Sequence, residues 1–173
     1  MKKLIVPLLA VCLLAACSPN REKQLKAIEE HELALSTLDR ISDDSEMEEV
    51  LKLYRTFAAD FPDDSLAPVY MQRAADIYVS TGRSDQAVSL LDSVIELYPG
   101  FEDMGGCWFL KGLAYENAEQ FDSARAAYTY FVDNYPEHSL AHDTRFLIDH
   151  LGMTPEEMLE AALQARENQE QNE

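Results

Sequence analysis

The histidines are the residues of this sequence whose spacing most resembles that of a metal-binding site. His138 and His142 lie four residues apart, and His150 follows eight residues later. On one helix such a spacing can bind zinc, but His-Ser-Leu-Ala-His lacks the glutamate of the zinc-protease motif. His138 also follows Pro136 closely and is expected to precede its helix. The sequence therefore predicts solvated histidines and no metal site.

A lone cysteine and paired carboxylates are the other candidates for chemistry. Cys107 has no recognisable Cys–His signature around it, so it is expected to be a small, partly buried hydrophobic residue. Asp63-Asp64 and Glu156-Glu157 stand where helices are expected to start, and there they suit the helix dipole. There is no Gly-rich phosphate loop, no Gly-x-Ser-x-Gly and no calcium-loop spacing. We expect no enzyme activity, although carboxylates acting on peptidoglycan remain an alternative, and we expect no cofactor.

Charge and composition exclude other classes of function. The 173 residues include 14 Lys and Arg against 32 Asp and Glu, a formal net charge of −18. So acidic a chain is a poor candidate for binding nucleic acid or anionic lipid heads. With 47% hydrophobic residues the chain suits one domain of moderate size, and its three cysteines are too few for a disulfide framework.

The N-terminus has the pattern of a signal peptide over residues 1–16. Lys2 and Lys3 precede an apolar run of 13 residues, which is short for a membrane span. The ending Leu-Ala-Ala-Cys17 resembles the lipobox of bacterial lipoproteins. The resemblance implies cleavage before Cys17 and lipid on its thiol, whereas the alternative is a plain secreted protein cut after Ala16.

The residues that follow Cys17 bear on which membrane the protein would be attached to. The resemblance implies that residues 17–22 are the lipidated cysteine and a short tether. In the lipoprotein family an aspartate directly after the cysteine often signals retention in the inner membrane. Ser18 stands there instead, and no acidic run follows. The resemblance therefore implies a bacterial envelope protein, anchored by covalent lipid to the outer membrane and facing the periplasm.

The rest of the chain repeats with a period of 37 residues. Aromatic–proline pairs recur at Phe61-Pro62, Tyr98-Pro99 and Tyr135-Pro136. Apolar residues spaced three and four apart precede each proline, which predicts helices that the prolines end. An all-α domain is predicted over 23–166, with a frayed polar tail over 167–173. The predicted helices are 21–41, 46–60, 66–80, 84–97, 107–118, 121–134, 139–151 and 154–166.

The repeats resemble the tetratricopeptide repeat (TPR). The best match carries Trp108, Gly112, Tyr115, Ala124, Tyr128 and Pro136. The preceding repeat ends at Pro99 and lacks the Trp, and the one ending at Pro62 is degenerate. The resemblance implies a right-handed solenoid of about three to four stacked antiparallel helix hairpins, crossing closely at small residues. These small residues are Ala75, Ala87, Gly112 and Ala124.

The period of 37 departs from the usual 34, and the three additional residues are expected around the turn after each proline. Long repeats with this ending look like those of envelope lipoproteins. The similar ones are the TPR lipoprotein of the outer-membrane barrel-assembly machine and the periplasmic coordinator linked to the Tol–Pal system.

The resemblance also implies a binding groove, whose positions come from the first helix of each pair. It implies an adaptor or scaffold that binds a protein or peptide partner, in barrel assembly, division or nutrient uptake. The alternatives are that Phe109 and Leu113 only pack against the next hairpin, and that the chain is a structural subunit using its convex face or C-terminal helix. There, Met158, Leu159, Ala162 and Leu163 would form an interface if exposed and a cap if buried. The predicted groove residues are Leu35, Asp39, Gln72, Asp76, Val79, Phe109, Leu113 and Glu116.

Overall fold

A computed structural model describes residues 20–37, 44–154, 156–161 and 163. All secondary structure within this part of the chain is helical, which confirms the all-α fold class. The predicted signal peptide, Cys17, Ser18 and Pro19 of the predicted tether, Asp39, and the polar tail lie outside the described residues. Among the described helices none is both long and apolar enough to cross a bilayer. The helices are α1 (Arg21–Thr37), α2 (Asp44–Asp60), α3 (Ala67–Ser80), α4 (Ser84–Leu97), α5 (Met104–Asn117), α6 (Phe121–Asn134) and α7 (Ala141–His150).

The chain divides into two compact units between Pro62 and Asp63. In the N-terminal unit, α1 packs against α2. Ile28 of α1 and Leu51 and Phe57 of α2 are buried. A hydrogen bond from the Tyr54 hydroxyl to Glu32 Oε1, 2.5 Å long, joins the pair on the same side.

In the C-terminal unit, each helix from α3 to α7 packs against the next one along the chain. Helix α3 also contacts α5, so the first helices of successive pairs are neighbours. This is the arrangement of stacked helix pairs that the repeat pattern predicts. The largest buried side chains here include Tyr128, Phe131 and Leu91.

The three aromatic–proline pairs end helices as predicted. Helix α2 ends at Asp60, α4 at Leu97 and α6 at Asn134, each two residues before its proline. Tyr98 and Tyr135 cap their helices with φ of −126° and −128°, outside the helical range. The residue before a proline avoids the α region, which explains why the helices stop there.

The prediction that α5 begins at Cys107 is wrong, since the helix begins at Met104. The side chain of Asp103 accepts a hydrogen bond from the Gly106 N–H and caps the helix. Gly105 lies inside the first turn, where a Cβ would approach the Tyr135 ring to 3.1 Å. The two glycines therefore allow close packing inside the helix and do not break it. Helix α7 begins two residues later than predicted, at Ala141, which leaves His138 before the helix.

Small residues lie where the helices of a pair cross, as the repeat pattern predicts. Ala75, Ala87 and Ala124 are fully buried. Gly112 on α5 faces the Tyr128 ring on α6 so closely that a Cβ would lie 2.3 Å from it. Only glycine leaves room for the Tyr128 ring against α5.

Candidate partner-binding groove

An open groove of about 350 Å³ lies in the C-terminal unit. Helices α3 and α5 form its sides, and the loop between α6 and α7 closes one end. Apolar and polar side chains alternate around it. The lining residues are Gln72, Arg73, Asp76, Asp103, Gly106, Phe109, Leu110, Leu113, His138 and Leu140.

Asp103 is the polar centre of the closed end. Gln72 Nε2 donates to its carboxylate over 2.7 Å, and the Gly106 N–H donates over 3.1 Å. Nε2 of His138 lies 3.4 Å from the same carboxylate. Nδ1 of His138 accepts from the Leu140 N–H at 3.2 Å, so the ring proton lies on Nε2 and faces Asp103. One carboxylate thus holds α3, the start of α5 and the α6–α7 loop in place.

The floor of the groove is apolar and rests on the core of the unit. The Phe109 ring lies 5.9 Å from the Tyr128 ring and 5.7 Å from the Phe131 ring, centroid to centroid. Phe131 is fully buried and contacts the His138 ring edge-on at 5.1 Å. Because these aromatic contacts fix Phe109 from below, its accessible surface is a rigid platform for an apolar ligand group.

The rim carries charges of both signs. Asp76 is exposed on α3, and Asp103 adds a second carboxylate at the closed end. Arg73 lines the same side with its guanidinium carbon 5.7 Å from the centre of the Tyr70 ring. An apolar floor beside two carboxylates suits a ligand with an apolar side chain next to a basic one.

Four predicted groove residues come together here: Gln72, Asp76, Phe109 and Leu113. Val79 is buried instead, and its carbonyl accepts a hydrogen bond from Asn117 Nδ2 at 3.1 Å.

Two of the remaining predicted residues lie elsewhere. Glu116 accepts a hydrogen bond from the Tyr128 hydroxyl at 2.6 Å and joins α5 to α6. Leu35 is half-buried in the N-terminal unit. The prediction of ligand contact at these positions is not supported by a place in the groove lining.

Six residues of the groove lining were not predicted from the sequence: Arg73, Asp103, Gly106, Leu110, His138 and Leu140. Asp103, His138 and Leu140 come from loops, whose side chains no helical period can place. Phe146 and His150 lie one period of 37 after Phe109 and Leu113, so the repeat register could have found them. Phe146 is 56% exposed, and its ring stacks on His150 with centroids 4.0 Å apart.

Cys107 lies directly beneath this site and is inert. Its side chain is fully buried, and burial raises the pKa of the thiol to about 12, with a smaller contribution from the nearby Asp103 carboxylate. The thiolate is therefore scarce at neutral pH, and the residue packs as a hydrophobic one. Within the described ranges, no group of three His, Cys, Asp or Glu side chains is placed to hold a metal ion.

Comparison with protein families identifies the repeat. The family model of the tetratricopeptide repeat matches residues 70–100 and 107–138. No curated protein and no solved structure matches the chain. The two matched segments contain most of α3 with α4, and most of α5 with α6, which are the helices that build the groove. The resemblance to tetratricopeptide repeats is thereby confirmed for these segments, a class of repeat that typically binds other proteins.

Proposed function

We propose that this chain is a lipid-anchored adaptor of the bacterial cell envelope, which holds a partner protein in the groove between α3 and α5. The observation that carries the proposal is the open apolar floor at Phe109 and Leu113, set beside the carboxylates of Asp76 and Asp103. The mechanism is binding alone, and the covalent lipid on Cys17 is the only attached group.

The partner segment is an extended or helical peptide with an apolar side chain and a neighbouring lysine or arginine. The floor would take the apolar group, and the carboxylates would take the positive charge. Phe146 and His150 offer a second aromatic contact one repeat further along the chain. A peptide that uses both positions would gain affinity from two anchors instead of one.

The first 17 residues support the lipid anchor. Two lysines, a short apolar run and Leu-Ala-Ala-Cys17 support cleavage and lipidation. Stable attachment needs more than one acyl chain, which the lipoprotein modification would supply. With Ser18 after the cysteine, we propose the outer membrane as the site and the periplasm as the compartment that the groove faces.

Site-specific crosslinking in cells tests the groove. A photoreactive residue in place of Leu113 or Gln72 should crosslink to one envelope protein. The same residue in place of Gln86, exposed on α4, is the control and should not. Adding Leu113→Glu to the Gln72 position should remove the product. Equal products from all three positions would contradict binding in the groove.

Membrane fractionation tests the anchor separately. Cys17→Ala should move the protein from the membrane pellet to the soluble fraction, because the acyl chains would have no attachment point. Cys12→Ala, in the same apolar segment, is the matched control and should leave the protein in the pellet. Retention of the Cys17→Ala protein in the membrane would contradict the lipoprotein assignment.

A further inference from the structure

Two leucines near the C-terminus are exposed on one side of a helix. Residues 156–161 and 163 are helical and form what we call the terminal segment. Leu159 is 62% exposed and Leu163 is 51% exposed, while Met158 and Ala161 on the other side are half-buried. Side chains four residues apart on a helix are neighbours, so the leucines form one apolar strip. Exposed apolar strips of this kind mark interaction sites.

The first backbone hydrogen bond of each helix places the terminal segment in register with α4 and α6. The Met158 N–H donates to the Thr154 carbonyl, as the Ala87 N–H donates to Arg83 and the Ala124 N–H donates to Gln120. In that register Leu159 takes the position of Val88 and Arg125. Leu163 takes the position of Asp92 and Thr129. Of these three helices, only the terminal segment carries leucines at both positions.

The same positions in α4 and α6 meet the next helix pair. Val88 and Asp92 line a cleft of about 300 Å³ whose other wall includes Ala114 and Tyr115 of α5. Further along, Arg125 of α6 donates a hydrogen bond to the Ile148 carbonyl of α7 at 2.6 Å. This side of each second helix therefore faces the first helix of the following pair. On the terminal segment that side presents exposed leucines, so it is shaped to receive a helix.

Charge indicates which helix would fit. The terminal segment carries Glu156, Glu157 and Glu160, and residues 151–163 contain no Lys, Arg or His. A second copy of this chain would set these carboxylates against an identical set, which is unfavourable. A helix that flanks its apolar residues with lysine or arginine would complement both the leucines and the carboxylates.

We propose that the terminal segment is a second docking surface, distinct from the groove, for a basic amphipathic helix of a partner protein. Leu159 and Leu163 supply the apolar contact, and the three glutamates select a positively charged partner. The partner helix occupies the place at which a further repeat would stack.

Fluorescence anisotropy with a designed helical peptide tests the proposal on the full chain in detergent. The labelled probe has two leucines four residues apart, flanked by lysines, and a second probe has glutamates in place of the lysines. The lysine probe should bind at least tenfold more tightly than the glutamate probe. The Leu159→Glu, Leu163→Glu double variant should weaken lysine-probe binding at least tenfold. Leu97→Glu on α4, where the leucine is 65% exposed, is the matched control and should change binding less than twofold.

Several results would overturn the proposal. One is equal binding of the lysine probe to the wild-type chain and the double variant, or equal binding of the two probes. Loss of binding in Leu113→Glu would place the probe in the groove instead. Sedimentation of the chain as a dimer that the double variant dissociates would make a second copy the occupant. A Leu159→Ser, Leu163→Ser variant with unchanged thermal unfolding provides the same comparison if the glutamate variant does not fold.

Discussion

At the scale of single residues, Gly112 packs so closely against the Tyr128 ring that a Cβ there would lie 2.3 Å from it. One period earlier the same two positions hold Ala75 and Leu91, both fully buried. The Tyr128 hydroxyl donates to Glu116, and Val79 stands at the position that corresponds to Glu116. Burial and the adjacent Glu116 carboxylate raise the pKa of Tyr128, so its hydroxyl remains a donor well into the alkaline range. The equivalent helix crossings of the two repeats are therefore packed by different sets of side chains.

Gly112→Ala should destabilise the protein. Its Cβ would lie 2.3 Å from the Tyr128 ring, and the ring is held by the core around it. We expect the free energy of unfolding, measured in urea, to fall by about 1–3 kcal/mol. Gly100→Ala is the matched control, because nothing lies within 4 Å of a Cβ there. Equal effects at the two glycines would show that the helix crossing is looser than described. Adding Tyr128→Leu should recover part of the loss, because it recreates the Ala75 and Leu91 pair.

Glu119→Gly should stabilise the protein. Glu119 has a φ of 57° in the turn after α5, and Gly82, one period earlier, has a φ of 71° in the turn after α3. Both turns use the same backbone hydrogen bonds, such as Gln120 N–H to the Tyr115 carbonyl and Arg83 N–H to the Tyr78 carbonyl. A side chain at this backbone angle costs about 1 kcal/mol, which glycine avoids. Urea unfolding should show a gain of about that size.

Gly82→Ala is the reciprocal change and should lower the free energy of unfolding by a similar amount. Nothing lies within 4 Å of the added Cβ, so the backbone angle alone accounts for the effect. If Glu119→Gly left stability unchanged or lowered it, the loss of the glutamate side chain would outweigh the relief of backbone strain.

At the scale of elements, the helices were largely predictable and their exceptions have identifiable causes. The ends at Asp60, Leu97 and Asn134 follow from proline chemistry, which acts within a few residues. The start of α5 was missed because Gly105 and Gly106 resemble a helix breaker. Gly105 packs against Tyr135, thirty residues away, and Gly106 faces Asp103 and Gln72, contacts that no local helical pattern contains.

The groove was predictable to the same extent. Phe109 and Leu113 lie four residues apart on one face of α5. Gln72 takes the position of Phe109 one repeat earlier, on α3, so the helical period and the repeat register together predict that these residues line one groove. Asp103 and His138 come from loops, and their meeting depends on how the pairs stack, so sequence spacing could not place them. Whether any of these residues contacts a partner stays a prediction.

The start of the terminal segment is a capping box, as predicted from Thr154 to Glu157. The Thr154 N–H donates to Glu157 Oε2 at 2.7 Å, and the Glu157 N–H donates to Thr154 Oγ1 at 3.3 Å. The hydrogen bonds from Thr154 lower the pKa of Glu157. A lowered pKa means that the stabilising contribution is present above the ordinary glutamate pKa and is lost as the pH falls through the folded value.

Glu157→Gln should therefore weaken the helix at neutral pH. Hydrogen exchange followed by mass spectrometry should show faster exchange for amides of residues 156–161, with other helices unchanged. Glu156→Gln removes a neighbouring charge outside the box and is the control. Equal exchange in both variants would mean that charge at the helix start, and not the hydrogen bonds of Glu157, supports the segment.

At the scale of the whole molecule, the net charge of −18 acts on every part of the fold. Excess like charge destabilises a compact state through self-repulsion, and salt screens that repulsion within about 10 Å at 0.1 M. The ion pairs that salt would weaken, such as Lys26 with Glu30 and Lys52 with Glu49, are exposed and contribute little. Screening should therefore favour the folded state.

The melting temperature should rise when sodium chloride is increased from 20 to 300 mM. A gain of about 1 kcal/mol would correspond to about 2–4 °C for a chain of this size. Choline chloride at the same ionic strength is the control and should give the same shift, because screening does not depend on the cation. A melting temperature that falls with salt would show that specific ion pairs outweigh the net repulsion.

The contact between Gly112 and Tyr128 also bears on how such an array can evolve. Repeats that are alike invite unequal recombination, which adds or removes whole copies. A crossover between the two pairs would join α3 to α6, setting Ala75 against Tyr128, or join α5 to α4, setting Gly112 against Leu91. The first product is overpacked and the second contains a void. Once the side chains at this crossing had diverged, the number of repeats became hard to change by exchange within the gene.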